Sequence, residues 1–405
     1  MPSTKYVTII GIGMDGWKTV TVEAVRTIES ADVLIGAARM LEPFSYNVKP
    51  TLVSYQSNEI AAFIQTKDYT RFAVLVSGDS GFYSLAASLT PLLASIKDVQ
   101  VDVISGISTP VYFCSRLHMP WSDLHFVSLH GAQSSIVRQV CAHRLTFFLL
   151  GGSVTPAAIC RRLTEYGRGH ITVHIGENLA MPDERIRSGK AGELTEIETD
   201  RLCALIAENP DWEAFLPCGI KDGQFVRGKV PMTKAEVRSV CVAKLSIGSG
   251  DRCWDIGCGT GSVSVEMALR CPDGQVTAID KNQDAIDLTT ANARQFGCDN
   301  IETILADAAV QCGDLPSPDC VFVGGSGGHM DEVLTAAAAK NPQVRVVATA
   351  ISLETLQEWN NAAQRLGWDA DITQIAVTRT RKVGTHTMLS AENPIFIMQR
   401  KMSKQ

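Results

Sequence analysis

One glycine-rich segment carries the clearest chemical signal in this chain. Residues 255–261 read Asp-Ile-Gly-Cys-Gly-Thr-Gly and follow an apolar stretch. Asp280 lies about 20 positions beyond this loop, at the end of the next apolar stretch. Glycines let a ligand approach the backbone closely, and a carboxylate at a strand end can accept hydrogen bonds from both hydroxyls of a ribose. The spacing therefore predicts a nucleoside-binding site.

A second, differently built glycine loop lies near the start of the chain. Gly11 and Gly13 follow the apolar, β-branched stretch Lys5–Ile10. Taken alone this loop is a weak signal, because many α/β proteins use such a turn only for close backbone approach. No acidic residue ends the next predicted strand, which disfavours a dinucleotide site. Two unlike glycine loops in one chain nevertheless suggest two active sites.

Strands that alternate with helices must position both loops. In the first half, the apolar pattern predicts a helix over Phe82–Leu93 and a parallel α/β arrangement. The predicted strands there are Lys5–Ile10, Asp32–Ile35, Arg71–Ser77, Val99–Ile104, Leu124–Leu129, Leu145–Leu150 and Ile171–Ile175. In such sheets the ligand crevice lies at the carboxyl ends of the strands, which is where the glycine loops fall.

The second half repeats this alternation after a break. Turn formers and little periodicity over residues 209–223 mark a boundary. We therefore predict a first domain over residues 1–207, a linker over 208–222 and a second domain over 223–405. The predicted elements of the second domain are the helices Thr233–Leu245 and Ser262–Arg270 and the strands Arg252–Ile256 and Gln275–Ile279.

Composition limits the class of protein. The 405 residues are 45% hydrophobic and 20% charged, which is typical of globular chains with two or three domains. No apolar stretch is long enough for a membrane span, and we expect a cytoplasmic protein with no membrane partner. The net charge of -6 disfavours a nucleic-acid partner. The twelve cysteines contain no Cys-x-x-Cys pair, so we expect no metal site and no disulfides.

Three segments of the first half, taken in order, resemble the tetrapyrrole methylases, which are the class III S-adenosylmethionine (SAM) methyltransferases. The segments are Gly11–Gly13, Ser77–Tyr83 and Ile104–Ser108. The resemblance implies two αβ lobes that hold SAM in the cleft between them. The cofactor-binding residues it implies are Ser77, Gly78, Asp79, Phe82, Ser108, Thr109, Leu150 and Gly151.

The second half resembles the class I SAM methyltransferases, which have a Rossmann-like α/β fold. Because SAM has no pyrophosphate, the glycine loop is expected to pack against its methionine and sugar. Asp307 and Ala308 would serve the adenine side. The cofactor-binding residues implied here are Thr233, Asp255, Gly257, Cys258, Gly259, Thr260, Gly261, Asp280, Asp307 and Ala308.

Further segments narrow the resemblance to the decarboxylating methyltransferases of corrin biosynthesis. These segments are Phe225–Lys234, Val323–Gly328 and Gly384–Met388. Fused behind a tetrapyrrole methylase, such a domain implies methylation of ring carbons 5 and 15 of a tetrapyrrole in cobalamin biosynthesis. The acetate side chain on carbon 12 would leave as carbon dioxide. We expect one SAM per domain and a homo-oligomer.

Arg227 and Lys229 are the candidates for binding the substrate's carboxylates, and His386 is a candidate proton donor. Arginine suits bidentate carboxylate contacts. The alternative is that both cations lie on a solvated linker and that His386 is structural. At the level of function, an RNA methyltransferase and a SAM-binding protein with one inactive half remain as alternatives, although the acidic balance weighs against RNA.

Overall fold

The computed structural model describes residues 4–14, 17–129, 134–151, 154–213 and 219–402. Residues 214–218 of the predicted linker lie outside this part. By its internal contacts the chain divides into two compact units. The first contains residues 1–124, 174–188 and 198–206, and the second contains residues 125–173, 189–197 and 207–405.

A five-stranded parallel sheet forms the core of the first unit. Its strands are β1 (Lys5–Gly11), β2 (Val33–Gly36), β3 (Thr51–Val53), β4 (Arg71–Val76) and β5 (Val99–Ile104). Their order is β3-β2-β4-β1-β5, so β1 lies between β4 and β5. The inner strands β1, β2 and β4 are largely apolar because apolar cores lie on both faces of the sheet.

Five helices accompany this sheet: α1 (Val22–Ser30), α2 (Ala38–Leu41), α3 (Ser57–Thr66), α4 (Ala86–Ala94) and α5 (Thr109–Leu117). The hydroxyl of Thr21 accepts a hydrogen bond from the amide of Ala24 and caps α1. The prediction that a helix begins at Phe82 is wrong, because α4 begins at Ala86. Tyr83 has a φ of +46°, which is left-handed backbone that a right-handed helix cannot contain.

A second five-stranded sheet has the order β6-β7-β10-β8-β9. Its strands are β6 (Leu124–Ser128), β7 (Leu145–Leu149), β8 (Thr172–Glu177), β9 (Arg185–Lys190) and β10 (Cys203–Glu208). Two helices, α6 (Ile136–Ala142) and α7 (Pro156–Glu165), belong to the second compact unit, which also contains residues 207–405. Ser135 and Thr155 cap them with their hydroxyls.

The strands of the C-terminal domain are β11 (Arg252–Ile256), β12 (Gln275–Asp280), β13 (Ile301–Leu305), β14 (Cys320–Val323), β15 (Arg345–Ala350), β16 (Ala370–Ile375), β17 (Thr378–Val383), β18 (His386–Ala391) and β19 (Ile395–Arg400). All of them except β17 and β18 form a seven-stranded sheet in the order β13-β12-β11-β14-β15-β19-β16. The first five strands of this order run parallel, and β19 pairs antiparallel with both β15 and β16.

Six helices cover the two faces of this sheet, and the apolar side chains between them are fully buried. Trp254 and Trp359 lie in the core on one face and Phe322 in the core on the other. The helices are α8 (Ala235–Leu245), α9 (Ser262–Ala268), α10 (Gln283–Gln295), α11 (Ala308–Gln311), α12 (Met330–Lys340) and α13 (Leu353–Arg365). Strand order reverses at β11, between β12 and β14. This reversal creates a crevice at the carboxyl end of β11.

Strands β17 and β18 form a separate two-stranded antiparallel hairpin. All of their residues are exposed, including the apolar Val383, Met388 and Leu389. Among the described residues, no helix has the length and apolar character that a bilayer crossing requires.

Candidate active site

The glycine loop that follows β11 lies at the point where the strand order reverses. The amides of Gly257 and Cys258 donate to the carbonyl oxygen of Ile279, at 2.9 and 3.1 Å, and fix the loop against the end of β12. Gly261 ends the loop, and α9 follows directly. The carboxyl ends of two neighbouring strands and the amino end of a helix therefore meet at one point.

A side chain at Gly257 or at Gly261 would require the backbone to rearrange. Gly257 has a φ of +70°, and a Cβ there would lie 2.5 Å from the carbonyl oxygen of Gly325. Gly261 has a φ of +71°, and its Cβ would lie 2.7 Å from the Cα of Thr289. Left-handed backbone and close backbone neighbours together explain why the sequence has glycine at these positions.

Asp280 ends β12 beside this loop. One of its carboxylate oxygens accepts a hydrogen bond from the amide of Gly259 and the other accepts from the amide of Asn282, each at 3.0 Å. Both bonds orient the carboxylate, and each oxygen keeps a further lone pair. The arrangement leaves acceptors for a pair of vicinal hydroxyls, as the sequence predicts.

A cavity of about 400 Å³ opens above the loop and beside Asp280. Five segments contribute to its walls: the glycine loop, residues 279–282, residues 306–308, the loop after β14, and residues 230–233. The predicted site residues that line it are Thr233, Gly257, Cys258, Gly259, Asp280, Asp307 and Ala308. The structure thus brings most of the predicted class I cofactor residues to one cavity.

Asp255, Thr260 and Gly261 do not line the cavity. Asp255 is completely buried beneath the loop, where one carboxylate oxygen contacts the hydroxyl of Ser264 and the other has no partner among the described residues. Burial is the main cause that raises the pKa of Asp255 to about 7; hydrogen bonds from Ser264 oppose the shift, and the negative charge of Asp280 adds a smaller increase that is already included in this value. The hydroxyl of Thr260 is also buried without a described partner.

These features fit SAM. The cavity has the size of a small-molecule site, the glycines leave room for backbone contact, and Asp280 can accept the ribose hydroxyls. The unpaired oxygen of Asp255 lies beneath the loop, outside the cavity lining. Asp307 caps α11 by accepting from the amide of Ala309 at 3.0 Å, which engages one of its two carboxylate oxygens. The other oxygen is left as an acceptor in the cavity lining.

Residues 219–234, here called the cover segment, bring Val230, Pro231 and Thr233 to the cavity. A fully buried ion pair holds the segment in place: Arg238 Nε lies 2.5 Å from Glu266 Oε1, and these side chains are 0% and 2% exposed. The guanidinium also donates to the carbonyl oxygens of Ile220 and Thr233.

Glu266 completes this arrangement, because it accepts from the amides of Gly219 and Ile220 at 3.0 and 3.1 Å. The side chain of Asn292 then joins the cover segment to the glycine loop. It accepts from the amide of Val226 at 2.8 Å and donates to the carbonyl oxygen of Thr260 at 2.8 Å. Buried polar groups thus fix two walls of the cavity relative to each other.

The three candidate catalytic residues lie outside the cavity lining. Arg227 and Lys229 are exposed on the cover segment, and neither makes a hydrogen bond or ion pair to another described residue. They flank the cavity in sequence, since Val230 lines it. His386 begins the exposed strand β18. A role in substrate binding or proton transfer stays a prediction for all three.

Sequence reasoning missed two charged or titratable residues that do line the cavity. Lys281 follows Asp280 directly, and its amino group lies 3.5 Å from where a Cβ on Gly327 would stand. His329 lies at the start of α12, and its Nδ1 is 3.6 Å from the carboxylate of Glu332. The sequence did mark Gly327 as part of a glycine-rich loop, so scanning the neighbours of both motifs for cations would have found them.

The first unit also brings its glycine segments together. Gly13 and Gly78 exchange backbone hydrogen bonds, with N–O distances of 3.1 and 2.6 Å. A Cβ on Gly11 would lie 2.7 Å from the amide nitrogen of Gly106. The loops after β1, β4 and β5 are therefore in backbone contact, which explains the glycines in all three segments.

Asp79 holds these loops rather than leaving its carboxylate free. One oxygen accepts from the amide of Gly81 at 2.8 Å and the other from the amide of Gly106 at 2.9 Å. Ser108 is buried immediately before α5. A contact with SAM stays a prediction for Asp79 and Ser108 and for the other residues of this predicted site, which are Ser77, Gly78, Phe82 and Thr109 in the first unit and Leu150 and Gly151 in the second.

Comparison with known proteins matches two family models to successive parts of the chain. A family model described as tetrapyrrole (corrin/porphyrin) methylases matches residues 6–195, and one described as a precorrin methyltransferase domain matches residues 224–402. A decarboxylating cobalt-precorrin-6B C(15)-methyltransferase of Pyrobaculum calidifontis is 41% identical over 190 residues, which are 46% of this chain and 97% of that protein. The chain belongs to the family of decarboxylating precorrin methyltransferases.

A relative of similar length matches this chain over both of its halves. The precorrin-6Y C(5,15)-methyltransferase (decarboxylating) of a Sinorhizobium species is 28% identical over 399 residues, covering 96% of this chain and 95% of that one. Among solved structures, the precorrin 8W decarboxylase of Methanobacterium thermoautotrophicum is 35% identical and covers 45% of this chain and 100% of its own, with a TM-score of 0.43.

These matches confirm the predicted fold class, a tetrapyrrole methylase region followed by a class I methyltransferase domain. They also confirm that the chain is a decarboxylating methyltransferase of cobalamin biosynthesis, an activity that depends on SAM. The RNA methyltransferase alternative finds no support in them.

Proposed function

We propose that the chain converts precorrin-6B into precorrin-8x, with one SAM bound in each domain. Ring carbons 5 and 15 of the tetrapyrrole each receive a methyl group, and the carboxylate of the carbon-12 acetate side chain leaves as carbon dioxide, so that a methyl group remains on carbon 12. The match to the Sinorhizobium enzyme over 96% of the chain carries this proposal, because it spans both glycine-loop sites at once. A cytoplasmic location and a homo-oligomer belong to the same proposal and stay predictions from the sequence.

The C-terminal domain is assigned the methylation of carbon 15 and the decarboxylation. Support comes from the Pyrobaculum relative, whose name gives these two activities and which matches only about half of this chain. The methylation of carbon 5 then falls to the N-terminal half. When bound, SAM supplies an electrophilic methyl group on a sulfonium, so the protein needs no strong base for the transfer.

The residues of the C-terminal cavity contribute mainly by positioning. Asp280 holds the ribose, the glycine loop sets how deeply the cofactor enters, and the cover segment, which is anchored by buried polar groups, shields one side of the cavity from water. Placing two reactants in line is worth about 7–11 kcal/mol of the barrier. Fixing the walls through Arg238, Glu266 and Asn292 preserves this alignment.

Decarboxylation of the acetate side chain breaks the bond between its methylene carbon and its carboxylate carbon. The electron pair enters the conjugated macrocycle, carbon dioxide leaves, and a proton completes the new methyl group. We assign Lys281, Arg227 and Lys229 to attract the substrate's carboxylates to this side of the domain. His329 lines the cavity, and an imidazole there can donate or accept a proton.

Product analysis of one variant tests this division of labour. Asp280→Ala removes two hydrogen bonds to a charged group in the C-terminal cavity, and each such bond contributes about 1.5–3 kcal/mol. We expect a product that carries one new methyl group and keeps all its acetates. The control is Asp314→Ala, which changes an exposed carboxylate without described side-chain contacts. Two methyl groups added and carbon dioxide lost in Asp280→Ala would refute the assignment.

A further inference from the structure

A second cavity lies within the second compact unit, away from the glycine loop. It has a volume of about 460 Å³. On one side it is lined by residues of α6 and of the segment after α7, including Arg138 and Arg168. On the other side it is lined by the cover segment and the end of α10, including Gln224 and Gln295. Residues from both halves of the sequence therefore form its walls.

The wall that carries Arg138 is fixed to the C-terminal domain by Asp299. The carboxylate of Asp299 accepts from the amides of Ile136 and Val137 at 3.1 and 3.2 Å and also contacts the hydroxyl of Ser135. Its carbonyl oxygen accepts from the guanidinium of Arg162 at 2.7 Å. Helix α6 is thus held at its first turn, so the position of Arg138 is determined by the fold.

Arg138 is buried without a partner. The residue is only 8% exposed, and its guanidinium makes no hydrogen bond or ion pair with any residue of the described part of the chain. Arg238 shows the usual arrangement in this protein, since it is also buried but contacts Glu266 and two carbonyl oxygens. Because Arg138 is almost entirely enclosed and lines the cavity, its unpaired hydrogen-bond donors are left to whatever occupies the cavity, which is either solvent or a ligand.

A second guanidinium shares the cavity. Arg168 is partly buried, and its Nε lies 3.3 Å from the sulfur of Cys141, with no carboxylate in hydrogen-bond range among the described residues. The acidic lining residues Asp211 and Glu213 are exposed, and Asp211 lies 3.6 Å from His170. The buried charge in this cavity is therefore positive, while the acidic charge faces solvent.

We propose that this cavity binds a small organic anion through a carboxylate or phosphate group held by Arg138 and Arg168. Guanidinium groups match the oxygens of both anions in bidentate geometry. The volume suits a small metabolite. Because both walls contribute residues, the bound anion stabilises the contact between α6 and the C-terminal domain. This site is separate from the SAM cavity and does not depend on the proposed reaction.

Thermal unfolding of the full chain tests the proposal with two probes, inorganic phosphate and succinate, each compared with sodium chloride at equal ionic strength. A ligand that binds only the folded state raises the midpoint of unfolding, and we expect a rise of at least about 2 °C for one probe at saturation. A larger rise with phosphate identifies a phosphate-bearing ligand, and a larger rise with succinate identifies a carboxylate-bearing one.

Arg138→Met should abolish this rise, and in chloride alone its midpoint should equal or exceed that of the unsubstituted chain, because an unpaired charge is removed. Arg294→Met, on the exposed end of α10, should keep the rise. If Arg138→Met does not fold, Arg168→Met is read in the same way. The proposal fails if neither probe raises the midpoint, if Arg138→Met retains the rise, or if its midpoint falls in chloride.

Discussion

Replacing Asp255 with asparagine should stabilise the C-terminal domain, and the gain should grow with pH. Asp255 is completely buried, has one unpaired carboxylate oxygen and has a pKa of about 7. In an unfolded chain the same carboxyl has its ordinary pKa of 3.8. Between these two values the folded state binds a proton that the unfolded state has lost, so the free energy of unfolding falls as the pH rises.

The size of the effect follows from this difference. The interval between 3.8 and about 7 spans about 3 pKa units, each worth about 1.4 kcal/mol. Relative to its value at low pH, the free energy of unfolding is therefore lower by about 1.5–2 kcal/mol at pH 5 and by about 4 kcal/mol at pH 8. The amide introduced by Asp255→Asn would carry no charge at any of these pH values and could still accept from Ser264. The stability gain of this variant should thus increase by about 2–3 kcal/mol between pH 5 and pH 8.

Urea unfolding of the full chain without SAM, followed by tryptophan fluorescence, measures this gain. Trp254 precedes Asp255 and is buried in the same core, so it reports the relevant domain. Asp314→Asn, which removes an exposed charge, controls for the general titration of carboxylates. A gain that stays constant with pH, or a variant that is less stable at pH 8, would show that Asp255 is not a buried, strained carboxylate. Weaker SAM binding in Asp255→Asn would indicate that its charge serves the cofactor.

Two further substitutions test the walls of the SAM cavity. Arg238→Met should lower the free energy of unfolding by about 3–5 kcal/mol and weaken SAM binding, because Glu266 is left buried without its cation. Adding Glu266→Met should recover part of the stability in urea unfolding. If the effects of the two substitutions were strictly additive, the pairing would be contradicted. Gly257→Ala should lower the free energy of unfolding by at least about 1–2 kcal/mol, because alanine disfavours left-handed backbone, and it should reduce the SAM affinity measured by calorimetry. Gly250→Ala, whose Cβ meets open space, should change neither quantity. Equal SAM affinity in both variants would count against the close approach of residue 257 to Gly325.

The class I cofactor loop could be predicted from the sequence because its determinants are local. Gly257 and Gly261 require left-handed backbone next to a strand end, and Asp280 ends the following strand, so spacing alone locates all three. The parallel sheet was predictable for a similar reason, since its central strands are continuous apolar stretches. Their order in the sheet, and the antiparallel strand β19, depend on long-range pairing that no local pattern reports.

The rest of the site was beyond local reasoning. Arg238 and Glu266 lie on different helices, and the sequence alone does not show that they form a buried pair that fixes the cover segment. Arg227 and Lys229 were selected for their charge, yet the backbone turns both toward solvent, while Val230, which follows them, lines the cavity together with Thr233. Side-chain direction in an irregular segment depends on its anchors, which are distant in sequence.

Titration of the full chain with SAM in a calorimeter tests most directly the claim that one polypeptide holds two methyl-donor sites. We expect two equivalents of SAM to bind per chain. Asp280→Ala should bind one equivalent of SAM with unchanged affinity, because only the C-terminal cavity is altered. A single equivalent for the unsubstituted chain, or two undisturbed equivalents for Asp280→Ala, would contradict it.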